Sequence, residues 1–337
     1  MLLFHRLDGF LKCLGLRRSS DWDSPTLLDE FLESPLKALV VRLYCLLLWL
    51  RGRPVKPPRN RPPIKVVCLS DTHGETVPNV PPGDLLIHAG DLAREGTASE
   101  IQAQLDWLES LPHTHKVIIG GNHDSFFDKR TRSHIDKELK NRLSFTRVIY
   151  LPDRSAPFTL SFEGQRKLNI FGAPHIIGSG DSSTNAFQYA SADAHRIWKH
   201  VVPKETDILV THGPPRHHLD LDIGCPGLLE ETWRVKPKLH VFGHIHCGRG
   251  TRAVYWDDFQ LAYESFLSKE MRGPIGDLIP NAQWLDVINI IFFGMSSVVW
   301  SWLMLGGKHE GGMLINAACQ DGNKGKISKK TPITIEL

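Results

Sequence analysis

Lys116-Val117-Ile118-Ile119-Gly120-Gly121-Asn122-His123-Asp124 runs an apolar strand straight into a polar tip. Val117, Ile118 and Ile119 read as a buried strand, and the paired glycines let the backbone turn sharply and approach a ligand closely. Three metal-seeking or proton-moving side chains then follow in a row. Taken alone, the stretch equally fits a tight turn whose Asn122 and Asp124 cap a helix. Recurrence breaks the tie, because four more apolar strands end in the same way. Residues 64–70 run into Asp71-Thr72-His73, where the i, i+2 spacing puts both side chains on one strand face. Residues 84–89 lead into Gly90-Asp91, residues 206–210 into Thr211-His212-Gly213, and residues 239–242 into Gly243-His244-Ile245-His246.

After the Asp91 tip, Thr97 with Glu100 three residues on reads as a capping box, and Ile101, Leu105, Leu108 and Leu111 line one side of a helix. That helix returns the chain to the Lys116 strand, and a strand-helix-strand unit implies parallel pairing. In sheets flanked by helices, ligands bind beyond the carboxyl ends of the strands, so one crevice can gather all five tips.

Composition narrows the classes. The chain has 337 residues, 41% of them hydrophobic, enough for one large core or two modest ones. Forty Lys and Arg against 37 Asp and Glu leave a balance of +3, too small to mark a nucleic-acid binder, so no nucleic-acid polymer is expected as a partner. The six cysteines are scattered with no Cys-x-x-Cys pair, which fits a reducing, intracellular and cytoplasmic setting. Seventeen histidines stand out because they cluster beside Gly and Asp.

The order Asp71-x-His73, Gly90-Asp91, Gly121-Asn122-His123-Asp124, His212, Gly243-His244-x-His246 resembles the calcineurin-like metallophosphoesterase superfamily across residues 64–263. More narrowly, the runs at 84–91, 211–215 and 239–244 resemble the small metallophosphoesterase-domain proteins of animal brain and fungi. The resemblance implies an α/β fold, a four-layer sandwich of two mixed β-sheets flanked by helices. It also implies that Asp71, His73 and His246 hold one metal, that Asn122, His212 and His244 hold a second, and that Asp91 bridges them. All donors are nitrogen or oxygen, which suits Mn, Fe or Zn. His123 is then the residue that donates a proton to the leaving oxygen, with Asp124 orienting it.

The activity so implied is metal-dependent hydrolysis of a small phosphoester, by attack of water activated between two ions. Protein Ser/Thr phosphatases of this superfamily carry an Asp three residues after the bridging Asp, where this chain has Arg94. That departure points away from phosphoproteins and toward small phosphomonoesters or phosphodiesters, cyclic nucleotides included. The alternatives are a catalytically weak binding or scaffold module on the same fold, and a protein phosphatase. Substrate contacts are expected from loops above the tips: His175, the segment 185–189, His217 and His218, and above all Arg216, whose guanidinium can fork onto two phosphate oxygens.

Two regions lie outside the motifs. Leu2, Leu3, Phe4, Leu7, Phe10, Leu11 and Leu14 would line one helical face, and residues 36–50 form a strongly apolar run interrupted by Lys37 and Arg42. A basic, proline-rich linker follows, with Arg51, Arg53, Lys56, Arg59, Arg61 and Lys65 and no acidic residue. Residues 1–63 are thus expected to be an apolar helix and linker, and 64–337 the phosphoesterase domain with an apolar helical insert at 264–312. Tyr263-Glu264 is expected to end a core hairpin. Residues 287–307 carry no charge, and by length would span a bilayer. Residues 313–318 and 332–337 nevertheless look like closing strands that must pair with strands upstream of the insert. A single crossing would leave them on the wrong side. The expectation is a helix lying flat, either packed with 36–50 as core or resting with it on a membrane surface through 36–50 and 287–305.

Overall fold

The computed structural model describes every residue except 1–10, 13, 21, 59, 139–141, 153–155, 179–184, 304–309, 321–326 and 328–330. Most of the expected amino-terminal face, Leu2 to Phe10, lies outside the described residues, as do Met304 and Leu305. In chain order the elements are α1 (Leu27–Glu33), α2 (Pro35–Arg51), β1 (Lys65–Leu69), β2 (Leu85–His88), α3 (Ala98–Ser110), β3 (His115–Ile118), α4 (His134–Glu138), β4 (Ile149–Tyr150), β5 (Phe158–Phe162), β6 (Arg166–Ala173), β7 (Ile176–Ile177), β8 (Gln188–Tyr189), α5 (Ala194–Trp198), β9 (Ile208–Thr211), α6 (Pro226–Val235), β10 (Leu239–Phe242), β11 (Gly250–Tyr255), α7 (Asp258–Leu267), α8 (Gly273–Asp277), α9 (Ala282–Leu303), β12 (Gly311–Asn316) and β13 (Ile333–Glu336).

Chain contacts divide these elements into two compact units, one from Val55–Arg252 with Gly312–Leu337, the other from the described residues up to Pro54 with those of Ala253–Gly311. The larger unit is built on two mixed sheets. One has the order β13-β1-β2-β3-β4, the other β11-β12-β10-β9-β6-β5, and β7 pairs with β8 in a two-stranded ribbon. β1, β2, β3 and β4 are mutually parallel, as are β6, β9, β10 and β12, so their carboxyl ends share one edge in each sheet. β13 closes the first sheet antiparallel to β1, and β12 lies in the second between β11 and β10, the pairing with upstream strands expected of residues 313–318 and 332–337.

β1, β2, β9 and β10 are four or five residues long and largely apolar because both faces are covered. On one face of the first sheet, Val67, Leu69, Leu86 and Ile118 pack with Ile101, Leu105 and Leu108 of α3. On one face of the second, Phe171, Ala173 and Leu209 pack with α5 and α6 through Ala194, Trp198, Leu228 and Val235. Val66, Cys68, Leu85, Ile87 and Val117, which point the other way, are fully buried too. The start of α3 has half of the expected capping box. The Thr97 hydroxyl accepts from the Glu100 N–H, but the Glu100 carboxylate turns back to the Glu95 N–H instead.

The smaller unit is helical. Its core joins Leu36, Val40, Tyr44 and Leu47 of α2 with Phe259, Tyr263 and Phe266 of α7 and Val287, Ile290 and Val298 of α9. Tyr44 stacks on Tyr263 at 3.6 Å between ring centroids and hydrogen-bonds Gln260, which in turn donates to Glu264. The hairpin end expected at Tyr263-Glu264 is therefore corrected: these residues sit inside α7. The Asp257 carboxylate caps that helix by accepting from the Gln260 N–H, and Phe259, Tyr263, Phe266 and Leu267 recur at helical, not strand, spacing.

Candidate metal centre

The residues that directly follow β1, β2, β3, β9 and β10 stay buried, and at three of these tips the backbone turns under strain. Asp71, His73, Asp91 and His244 all have φ between 46° and 65°, the left-handed region that residues with a Cβ rarely enter. Backbone hydrogen bonds lock the tips together. Asp71 N–H donates to Gly90 O, His73 N–H to Asp91 O, and Gly243 N–H to His212 O. The glycines are there for closeness: a Cβ on Gly243 would lie 2.1 Å from an Asp71 carboxylate oxygen, and one on Gly121 would lie 2.3 Å from the Asp91 nitrogen.

Three sets of donor atoms result, each with its members within 4.8 Å of one another: Asp71, His73 and His246; His73, Asp91 and His123; and Asp91, His212 and His244. Asp91 belongs to two sets and so stands between the histidines of both sheets. Asn122 joins the last set, its Oδ1 lying 2.9 Å from His212 Nε2. All seven residues that the resemblance marked as ligands thus share one locus at the strand ends.

The electrostatics of the cluster suit a cation. His212 Nδ1 must be the donor to Ala89 O at 2.9 Å, which aims Nε2 at Asn122 Oδ1 and at Asp91 Oδ2, 3.3 Å away. Neither oxygen can donate to the other, so three acceptors converge on one point unless a proton or a metal sits there. His73 Nε2 is buried with no hydrogen-bond partner. Burial would raise the Asp71 and Asp91 carboxyls, but the neighbouring imidazoles, His246 for Asp71 and His212 for Asp91, hold both well below the usual carboxylate range. Burial would lower His212, yet the Asp91 charge pushes it up. Two buried carboxylates therefore demand positive charge, which a bound cation would supply in exchange for the His212 proton. His73 is lowered by burial and His244 is brought down to about 3 by the same cause, leaving both rings neutral and able to coordinate.

His123 is half-buried beside His73, with ring centroids 4.8 Å apart. Its Nδ1–H donates to the backbone carbonyl of Arg94 at 2.8 Å. Asp124 does not orient it, and that expectation is corrected. The fully buried Asp124 carboxylate accepts from the N–H groups of Gly121, Ala93 and Leu92, and so ties the Asn122 turn to the Asp91 turn. Burial and then the Asp91 charge push Asp124 up to about 7.

The expected substrate residues fare differently. Arg216 is exposed, and no described hydrogen bond or ion pair engages its guanidinium. His217 and His218 are buried, not loop surface, and the His217 N–H donates to Asp220. His175 sets its ring edge-on against Trp198. The segment 185–189 reaches the tips, since Ala186 N–H donates to Asn122 O.

Two residues with no role assigned from sequence complete the support. His88 in β2 pairs through Nε2 with the Thr72 hydroxyl at 3.0 Å, and His240 in β10 pairs with the Thr211 hydroxyl at 2.8 Å. Each is a fully buried histidine holding the threonine next to a ligand of the neighbouring strand. The available signal was a lone histidine inside an otherwise apolar strand.

The family pattern described as calcineurin-like phosphoesterase matches residues 64–248. A protein of Emericella nidulans called probable rhamnogalacturonate lyase C is 39% identical over 277 residues, 81% of this chain and 24% of that protein. Human metallophosphoesterase domain-containing protein 1 is 35% identical over 229 residues, 59% of this chain and 66% of its own length. The chain thus spans about a quarter and about two thirds of the lengths of these relatives. With the pattern covering more than half of its residues, and every tip that carries the motifs assembled at one locus, the chain belongs to the calcineurin-like phosphoesterase family.

Proposed function

We propose that the chain is a binuclear metal-dependent hydrolase of small phosphoesters, with phosphodiesters, cyclic nucleotides among them, preferred over phosphoproteins. The observation that supports this reading best is Asp91, whose carboxylate is common to the donor sets of both sheets. Asp71, His73 and His246 with Asp91 would hold one ion, and Asn122, His212 and His244 with Asp91 the other. The nitrogen and oxygen donors suit Mn, Fe or Zn. When bound, such paired cations activate water for attack and offset the charge on the phosphoryl oxygens.

The chain's own groups do the rest. His123, its Nδ1–H held by Arg94 O, carries a proton on Nε2 to the leaving oxygen. Arg216, exposed and unengaged four residues after His212, grips the non-reacting phosphate oxygens. Asp124 keeps the Asp91 and Asn122 turns in register. The lyase activity in the name of the Emericella protein is not carried over, because the match covers 24% of that longer chain.

The test is metal analysis with hydrolysis of bis-p-nitrophenyl phosphate. Chelated protein should lose activity and regain it with Mn, and the wild type should hold two ions per chain. Asp91→Ala should lose metal from both positions. A variant that keeps two ions, or chelated protein that remains active, overturns the reading.

A further inference from the structure

The helical unit carries an apolar face that its own residues leave open. α9 buries one stripe, Gln283, Val287, Ile290, Gly294 and Val298, and a Cβ on Gly294 would fall 2.6 Å from Leu47 of α2. Much of its remaining surface is exposed and apolar, including Ile288 at 58% and Phe292 at 63%, with Asn289 and Ser296 as exposed polar residues among them. Among the described residues, Phe145 and Ile223 are the only large apolar side chains exposed in the larger unit, and every other one lies in the helical unit. Exposed apolar surface of this extent is ordinarily covered by a partner or in contact with lipid. Packing with α2 alone, as core, therefore accounts for only one side of α9.

Three observations identify what covers the other side. First, the Trp256 N–H donates to the Glu310 carbonyl at 3.1 Å, so the chain leaves and re-enters this excursion at one place. α9, about 33 Å long at 1.5 Å per residue, is long and apolar enough to cross a bilayer, but a crossing cannot return the chain to that bond. Second, α2 and α9 run parallel, their carboxyl ends joined by Trp302 Nε1–H donating to Leu50 O, and at that end Trp49, Trp300 and Trp302 are exposed while Trp284 marks the other. Tryptophan concentrates at the headgroup level of membranes. Third, basic residues follow α2 in the sequence. Arg51 is paired with Asp257, but Arg53 is exposed, and the sequence to Lys65 adds Lys56, Arg59 and Arg61 without one acid.

We propose that this unit is a one-sided membrane anchor. α9, with α2 beside it, lies along the surface of an anionic bilayer, its Ile288–Phe292–Val299 face among the acyl chains and its tryptophans and Arg53 at the headgroups.

The test is flotation of the full chain with vesicles of phosphatidylcholine, alone or mixed with phosphatidylserine. The wild type should float with the mixed vesicles and less with phosphatidylcholine or in high salt. Ile288→Glu with Phe292→Glu, both exposed positions, should partition at least about tenfold less while melting at the wild-type temperature. Independently, brominated lipids should quench the wild-type tryptophan fluorescence. A wild-type chain that stays at the bottom, a double variant that floats equally, or unquenched fluorescence overturns the proposal. So does a concentration-dependent dimer that never floats, which would mean that a second copy covers the face.

Discussion

Gly121→Ala is the sharpest perturbation of the centre, because it adds one methyl group and replaces no donor residue. Gly121 has no left-handed φ, so the cost is steric alone. The new Cβ would lie 2.3 Å from both the nitrogen and Oδ1 of Asp91, and 2.8 Å from His212 Cε1. Ordinary contact begins near 3.5 Å, so Asp91 must retreat by about 1 Å. It cannot rotate away, since one of the two clashing atoms is its own backbone nitrogen. Overpacking of this kind costs about 1–3 kcal/mol, equivalent to a melting temperature lower by about 1–4 °C at this chain size. A misplacement of about 1 Å at a reacting centre costs about 10² in turnover, and here the displaced carboxylate serves both donor sets. The assay is turnover of bis-p-nitrophenyl phosphate with metal content and thermal melting on the same sample. Gly213→Ala is the control. It directly follows His212, yet its Cβ would meet only Ile176 at 3.5 Å, so it should match the wild type in all three. Wild-type turnover and metal content in Gly121→Ala, or an equal loss in Gly213→Ala, would refute the idea that close backbone approach sets the geometry.

His123→Ala should lower turnover by about 10² to 10⁴ with metal content unchanged, and unchanged turnover removes its role as proton donor. Burial pushes His88 down to about 4 and His240 down to about 3, below the value of about 6.5 in the unfolded chain. The unfolded chain then takes up these protons first. The stabilisation from keeping both rings neutral is complete above pH 6.5 or so, and is lost by about 1.4 kcal/mol per pH unit per ring as pH falls toward 4. Denaturant titrations between pH 7 and 5 should show this slope in the wild type and a shallower one in His88→Gln with His240→Gln. Equal slopes would contradict it.

Much of the fold was legible because the strands are short, apolar and punctuated by Gly and Asp, and because residues 313–318 and 332–337 announce strands with no local partner. β12 and β13 pair where that argument required. Legibility failed where the deciding interaction is local but ambiguous, or distant. Asp257 could have been read as the cap that makes α7, but Tyr263-Glu264 beside it fits a strand end equally well without the packing of Tyr44 on Tyr263. Hydropathy of α9 alone fits a crossing, and the hydrogen bond between Trp256 and Glu310, far apart in sequence, is not legible in it. The left-handed turns at Asp71, His73, Asp91 and His244 have no sequence signal, since none is glycine and the strain is sustained by hydrogen bonds between tips.

Arg94 shows the same limit at the level of chemistry. Side-chain identities show no acid at this position and offer Asp124 as the group that orients His123, yet the Asp124 carboxylate is taken up by the N–H groups of Gly121, Ala93 and Leu92. The structure supplies the acceptor from the backbone of the same residue, the Arg94 carbonyl, 2.8 Å from Nδ1. A backbone carbonyl fixes the tautomer and the ring plane whatever side chain its residue carries. The position of the His123 ring therefore does not depend on an acidic side chain at Arg94, and the proton-donor role proposed for it needs none there.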